Sequence, residues 1–104
     1  MPFVKARDHG LLDFDWDPAK ASSNFGKHGV AFEEAMTVFG DPFARSILDP
    51  DGGAGEERWI TLGQTTTGNL LVADINPDRS AVRIISARRP TRNEARQYRE
   101  DQVP

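Results

Sequence analysis

The chain has 104 residues, no cysteine and a formal net charge of −3. That length fits one domain with a single modest core. Lack of cysteine excludes a disulfide framework or a thiolate metal site, and the net charge argues against a generally basic nucleic-acid binder.

No run approaches a membrane span, and MPFVKARDHG at the start lacks a signal peptide's apolar core, so a cytoplasmic protein is expected. Residues 1–12 carry no clear pattern and are expected to be a loose extension. Leu12, Phe14 and Trp16 then alternate with Asp13, Asp15 and Asp17, the period of a short half-buried strand. Asp17-Pro18 supplies an N-cap and a first-turn proline, so a helix is predicted up to Lys27 or His28, stopped by Gly29. Lys20, Asn24 and Lys27 or His28 form a polar stripe on it. His28 sits where it could cap late carbonyls or serve a site. Phe32, Ala35, Met36 and Phe39 mark a second helix with a core-facing stripe, closed by Gly40 and Pro42.

From Phe43 the period changes to two. Strands are predicted over Ala44 to Leu48, Glu57 to Gln64, Leu70 to Ile75 and from Ala81 onward, joined by DPDGGAGE, TTTGN and NPDRS. Along the second of these, Arg58, Ile60 and Leu62 face one way and Trp59 and Thr61 the other. The chain closes on a helix opened by Thr91 and Glu94, the spacing of a capping box. On that helix Arg92, Arg96 and Arg99 share one face. The order β-α-α-β-β-β-β-α predicts an α+β fold, with a three- or four-stranded antiparallel meander covered by helices and one sheet face partly open.

Charge is uneven. From Arg83 onward there are six arginines against Glu94, Glu100 and Asp101, a surplus of three, so the remainder carries six net negative charges. An acidic body with a basic end suits a local anion site or an oppositely charged partner.

No phosphate loop, HExxH or GxSxG is present, two histidines without cysteine make a poor metal site, and Ser86 lacks an evident His–Asp relay. The remaining Arg, Lys, Glu and His residues suffice for metal-free RNA cleavage, which needs a base for the 2′-hydroxyl, cations for the phosphorane and an acid for the leaving oxygen. No cofactor is expected. A regular last strand would put Arg83 and Arg88 on opposite faces, a conflict that a bulge near the strand end would relax.

Phe14 to Pro42 (FDWDPAKASSNFGKHGVAFEEAMTVFGDP), GEERWITLG (Gly55 to Gly63) and RIISARRPTRNEARQY (Arg83 to Tyr98) resemble the BrnT toxins. These are small RelE-like ribonucleases of type II toxin–antitoxin systems. The resemblance implies an endoribonuclease that arrests translation and is neutralised by a BrnA-like antitoxin, in a complex of toxin and antitoxin that could be a heterotetramer. Operator DNA would be reached only through the antitoxin. By matching position it implies catalytic roles for Glu57, Arg58, Arg83, Arg88 and His28, with Glu57 or His28 as base. RNA contacts would come from Lys20, Lys27, Arg89, Arg92 and Arg96. Pro90, Asp74 and the turn-prone Asp74 to Pro77 depart from the family pattern. The alternative is a binding module, weak or inactive in cleavage, that acts with its antitoxin as a transcriptional co-repressor.

Overall fold

The computed structural model describes residues 3–7, 12–52, 57–77 and 81–101. Six strands form one sheet: β1 (Val4–Arg7), β2 (Asp13–Trp16), β3 (Arg45–Leu48), β4 (Trp59–Gln64), β5 (Leu70–Pro77) and β6 (Val82–Arg88). Their spatial order is β1-β2-β6-β5-β4-β3. Strands β3 to β6 make the expected antiparallel meander. Strand β2 joins β6 in parallel, and β1 pairs with β2 antiparallel. The expectation of a loose start is therefore corrected for Val4 to Arg7, where the alternating residues Lys5 and Arg7 stand opposite Asp15 and Asp13. Val4 and Ala6 alternate with them, opposite Trp16 and Phe14, and Ala6 packs against the core, a period of two too short to stand out in the sequence. Parts of the predicted DPDGGAGE and NPDRS connections lie outside the described residues.

Helix α1 (Pro18–His28) is built from its ends. Asp17 accepts from the Ala19 N–H at 2.8 Å, and Gly29 closes the helix at φ 67°, its N–H donating to the Phe25 carbonyl. A side chain at that left-handed position would be strained. The predicted second helix divides into α2 (Phe32–Met36) and a 3-10 turn, Thr37–Gly40. Phe14, Trp16, Phe32, Ala35, Val38, Leu71, Ala73, Ile75, Ile84 and Ala87 form one core on the sheet face these elements cover.

Asn24, a member of the polar stripe read from the sequence, is buried. Its Nδ2 donates to the Ala87 carbonyl at 2.9 Å and the Val30 carbonyl at 3.2 Å, and its Oδ1 accepts from the Ala87 N–H at 3.1 Å. Parallel pairing with β2 ends at Arg83, so beyond it the side-chain amide satisfies the β6 edge as a neighbouring strand would.

Helix α3 (Arg92–Glu100) lies on the opposite sheet face, and the predicted capping box of Thr91 and Glu94 is present. Pro90 lies between β6 and α3, outside the helix, so it interrupts no helical hydrogen bond. Asn76 and Pro77 do not end the pairing of β5, since they stand opposite Arg83 and Val82.

Candidate active site

The decisive local feature is a shift of register in β6. Ile75 stands opposite Ile84, whereas the preceding residue, Asp74, stands opposite Ser86. Ile85 is the extra residue of a bulge. Ile84 and Ala87 both reach the core, and the residues between the core positions are reset. Arg83, Ser86 and Arg88 consequently share the face that α1 and α2 leave open, level with Asn76, Asp74 and Val72. The parity conflict at Arg83 and Arg88 is resolved by this bulge.

Trp59 stands opposite Ile75 in the next pair. One residue earlier, Arg58 comes level with Asn76, and strand parity gives it the face of Ile60 and Leu62. Arg58, Asn76 and Arg83 therefore form a row across β4, β5 and β6, and Asp15 and Lys5 continue it across β2 and β1. With strands about 4.8 Å apart, Arg58 and Arg83 are separated by roughly 10 Å at the backbone, a span two arginine side chains can close on one phosphate. Arg88 stands four β5 residues further along, roughly 13 Å from Arg83 at the strand rise.

Each site arginine has a defined environment. Arg83 donates from Nε to Asp15 Oδ1 at 3.0 Å and from Nη2 to Asp15 Oδ2 at 3.3 Å. Its guanidinium carbon also lies 4.0 Å from the centroid of the Phe3 ring. Arg88 makes a bidentate pair with Glu94, Nη1 to Oε1 at 2.8 Å and Nη2 to Oε2 at 3.0 Å. This pair holds the Glu94 carboxyl at about 2 and raises Arg88. Glu94 Oε1 also accepts from the Thr91 N–H at 2.7 Å. Arg88 thus fastens the first turn of α3 to the sheet.

Two further fastenings hold α3. Tyr98 donates its hydroxyl to Asp41 at 2.5 Å, and Arg45 pairs with Asp101. Burial pushes the Asp41 carboxyl up, but hydrogen bonds from Tyr98, Gln64 and Phe43 outweigh it and hold it below the usual range. Between α3 and the strands lies a cleft of about 440 Å³, lined by Ile47, Ile60, Leu62, Val72, Glu94 and Tyr98. Helix α3 covers that half of the open face, and the Arg58 to Arg83 row lies at the other end.

Several predicted site residues fall elsewhere. Glu57 is exposed and accepts from the Trp59 indole at 3.0 Å. Trp59 packs against the core, so Glu57 sits on the side away from Arg58 and Arg83. His28, Lys27 and Lys20 are exposed on α1, which packs through Asn24 on the helix-covered side. Arg89 is exposed, and its charge acts on Glu34 of α2. Arg92 and Arg96 lie on the exposed face of α3, where Arg96 donates to Asn93 at 3.1 Å. The row is therefore joined by Arg58 and Arg83 alone among the predicted residues, with Arg88 on the same face.

Sequence reasoning missed Asp15, Asn76 and Phe3, and set Ser86 aside. A bulge leaves no periodic trace in a short strand, so the grouping of Ser86 with two arginines had no signal. Asp15 was visible only as one of the polar residues in an alternating strand. Among the described residues, no group of three or more His, Cys, Asp or Glu is placed to hold a metal ion. Nor, among the described residues, is any helix long and apolar enough to cross a membrane.

A family model described as "Ribonuclease toxin, BrnT, of type II toxin-antitoxin system" matches residues 16–94. Among solved structures, the fold is similar to the crystal structure of the Brucella abortus ribonuclease toxin BrnT. The TM-score is 0.54 at 21% identity, covering 74% of this chain and 94% of that one. No curated protein matches the chain.

Proposed function

Because the chain belongs to the BrnT family of ribonuclease toxins of type II toxin–antitoxin systems, we propose that it cleaves RNA without a metal ion, at the open sheet face. The observation that carries this reading is the bulge in β6, which sets Arg83 on one face with Arg58, Ser86 and Arg88. Cleavage within RNA proceeds by attack of the 2′-hydroxyl on the adjacent phosphorus. The P–O5′ bond breaks, and a 2′,3′-cyclic phosphate and a 5′-hydroxyl result. Arg58 and Arg83 stabilise the extra negative charge of the phosphorane, which is the largest part of such catalysis. Their fixed guanidiniums suit a phosphate better than mobile ammonium groups do.

In this reading neither Glu57, bonded to Trp59, nor His28, exposed on α1, serves as the base. We assign proton abstraction to Asp74, mid-face and level with Ser86, and the departing 5′-oxygen takes its proton from water. A BrnA-like antitoxin neutralises the toxin, translation stops when RNA is cut, and the complex of the two reaches operator DNA through the antitoxin.

The test is cleavage of an unstructured RNA in the presence of a chelator. Arg58→Ala and Arg83→Ala should each lower kcat/KM by about 10²-fold or more, with circular dichroism and antitoxin binding unchanged. Asp74→Asn should lower kcat and Glu57→Gln should not. Full activity in both arginine variants would remove the open face as the site.

A second reading rests on a different observation. Arg83 and Arg88 already hold the internal carboxylates Asp15 and Glu94, as they would in a module that only binds its antitoxin and co-represses. In that case the wild type cuts no RNA, and the arginine variants alter only complex affinity.

A further inference from the structure

The N-terminal strand contributes to the face beyond its place in the fold. Phe3, Lys5 and Arg7 alternate toward the open side, and Phe3 lies against the Arg83 guanidinium at 4.0 Å. All three precede the family-matched residues, which begin at Trp16. Phe3 is 40% exposed, so an apolar ring is presented to solvent beside the cation assigned to the phosphate. Packing does not account for that exposure, since the core lies on the opposite sheet face. Asp15, which is 5% exposed, fixes the edge of the same guanidinium. Arg7 occupies Asp13 at 2.6 Å, and Lys5 is exposed in the row.

An exposed aromatic beside fixed cations is the pattern by which proteins hold single-stranded nucleic acid, the ring stacking a base and the cations tracking the backbone. We propose that Phe3 is a stacking subsite for an unpaired base of the RNA whose phosphate is held at Arg83. The proposal rests on the ribonuclease reading and adds a substrate class, single-stranded RNA. A duplex cannot offer a free base face to the ring. Asp15 is then a positioning residue, holding the guanidinium in plane so that base and phosphate are gripped together.

The experiment compares the wild-type chain with Phe3→Ala, Phe3→Leu and Phe3→Trp. Cleavage kinetics use an unstructured RNA, and binding uses a 2′-O-methyl oligonucleotide carrying 2-aminopurine, which lacks the attacking hydroxyl and is quenched on stacking. Phe3→Ala and Phe3→Leu should raise KM and Kd roughly tenfold, abolish the protein-induced quench and leave kcat within about threefold. Phe3→Trp should restore all three. A KM and quench unchanged by Phe3→Ala, in a wild type that cleaves, would overturn the subsite and leave the ribonuclease intact. A fall in kcat rescued by Phe3→Leu would reduce Phe3 to packing on Arg83 and would also overturn it. A wild type that neither cuts RNA nor binds the oligonucleotide would overturn both readings.

Discussion

Two side chains show how single residues hold the open face in place. Asn24 satisfies both main-chain groups of Ala87 and the carbonyl of Val30 inside the core. Asn24→Ala would leave three buried polar groups without that partner, at a cost of about 3 kcal/mol, read from urea denaturation. Asn24→Asp should be no better, because a carboxylate cannot donate to two carbonyls. If the aspartate variant were as stable as the wild type, the bonding pattern at Ala87 would be wrong. Glu94 gives a pH dependence. Its carboxyl falls from the ordinary 4.5 to about 2 because Arg88 donates to it. A depressed carboxylate stabilises the fold fully above its unfolded value, and the contribution is lost as pH falls through the folded one. Arg88 is 39% exposed, so solvent screening reduces the pair to about 1 kcal/mol. Glu94→Gln should lower stability at pH 7 by that amount and flatten its decline between about pH 5 and 2. An equal decline in wild type and variant would show that the pair is broken in solution.

At the scale of elements, helix ends were legible and sheet details were not. Asp17, Pro18 and Gly29 bound α1, and Thr91 with Glu94 opens α3, as the sequence predicts. Capping is chemistry within a few residues and so is written locally. The meander strands were legible from their period for the same reason. Strand β1 was not, because only Val4 and Ala6 carry its apolar period, and their partners Trp16 and Phe14 lie on a later segment. The bulge that assembles the candidate site was visible only as a parity conflict, since one extra residue depends on how β5 and β6 align. Gly63 is a further case of tertiary packing hidden in a strand. A Cβ there would meet Ala44 Cβ, Val38 Cβ and the Val38 carbonyl oxygen, each at 3.1 Å. The 3-10 turn carrying Val38 therefore seats directly on β4. Gly63→Ala should destabilise by about 1–3 kcal/mol, and Gly63→Val by more, in thermal unfolding. A neutral alanine would mean the turn can withdraw from the strand without loss.

For the whole molecule, a net charge of −3 and the proposed anionic substrate are reconciled by where the charges stand. The arginines that dominate the last quarter of the sequence do not act together: Arg92 and Arg96 face solvent on α3, and Arg88 holds Glu94. What the fold concentrates is the short row of Arg58, Arg83 and Lys5, whose members come from β6, β1 and the residue before β4 and are distant in sequence. In the proposed RNA complex, this local basic row, rather than a basic surface, sets the electrostatics of binding. Each phosphate neutralised on a single strand contributes about −0.7 to the slope of log affinity against log salt. Three cations give an expected slope of roughly −2, measured with a non-cleavable single strand from 50 to 300 mM salt. Arg83→Ala should make the slope shallower by about 0.7, and Arg96→Ala on the far side of α3 should leave it unchanged. A slope unaffected by Arg83→Ala but flattened by Arg96→Ala would transfer the RNA from the sheet to the helix. The face that the bulge assembles would then be structural.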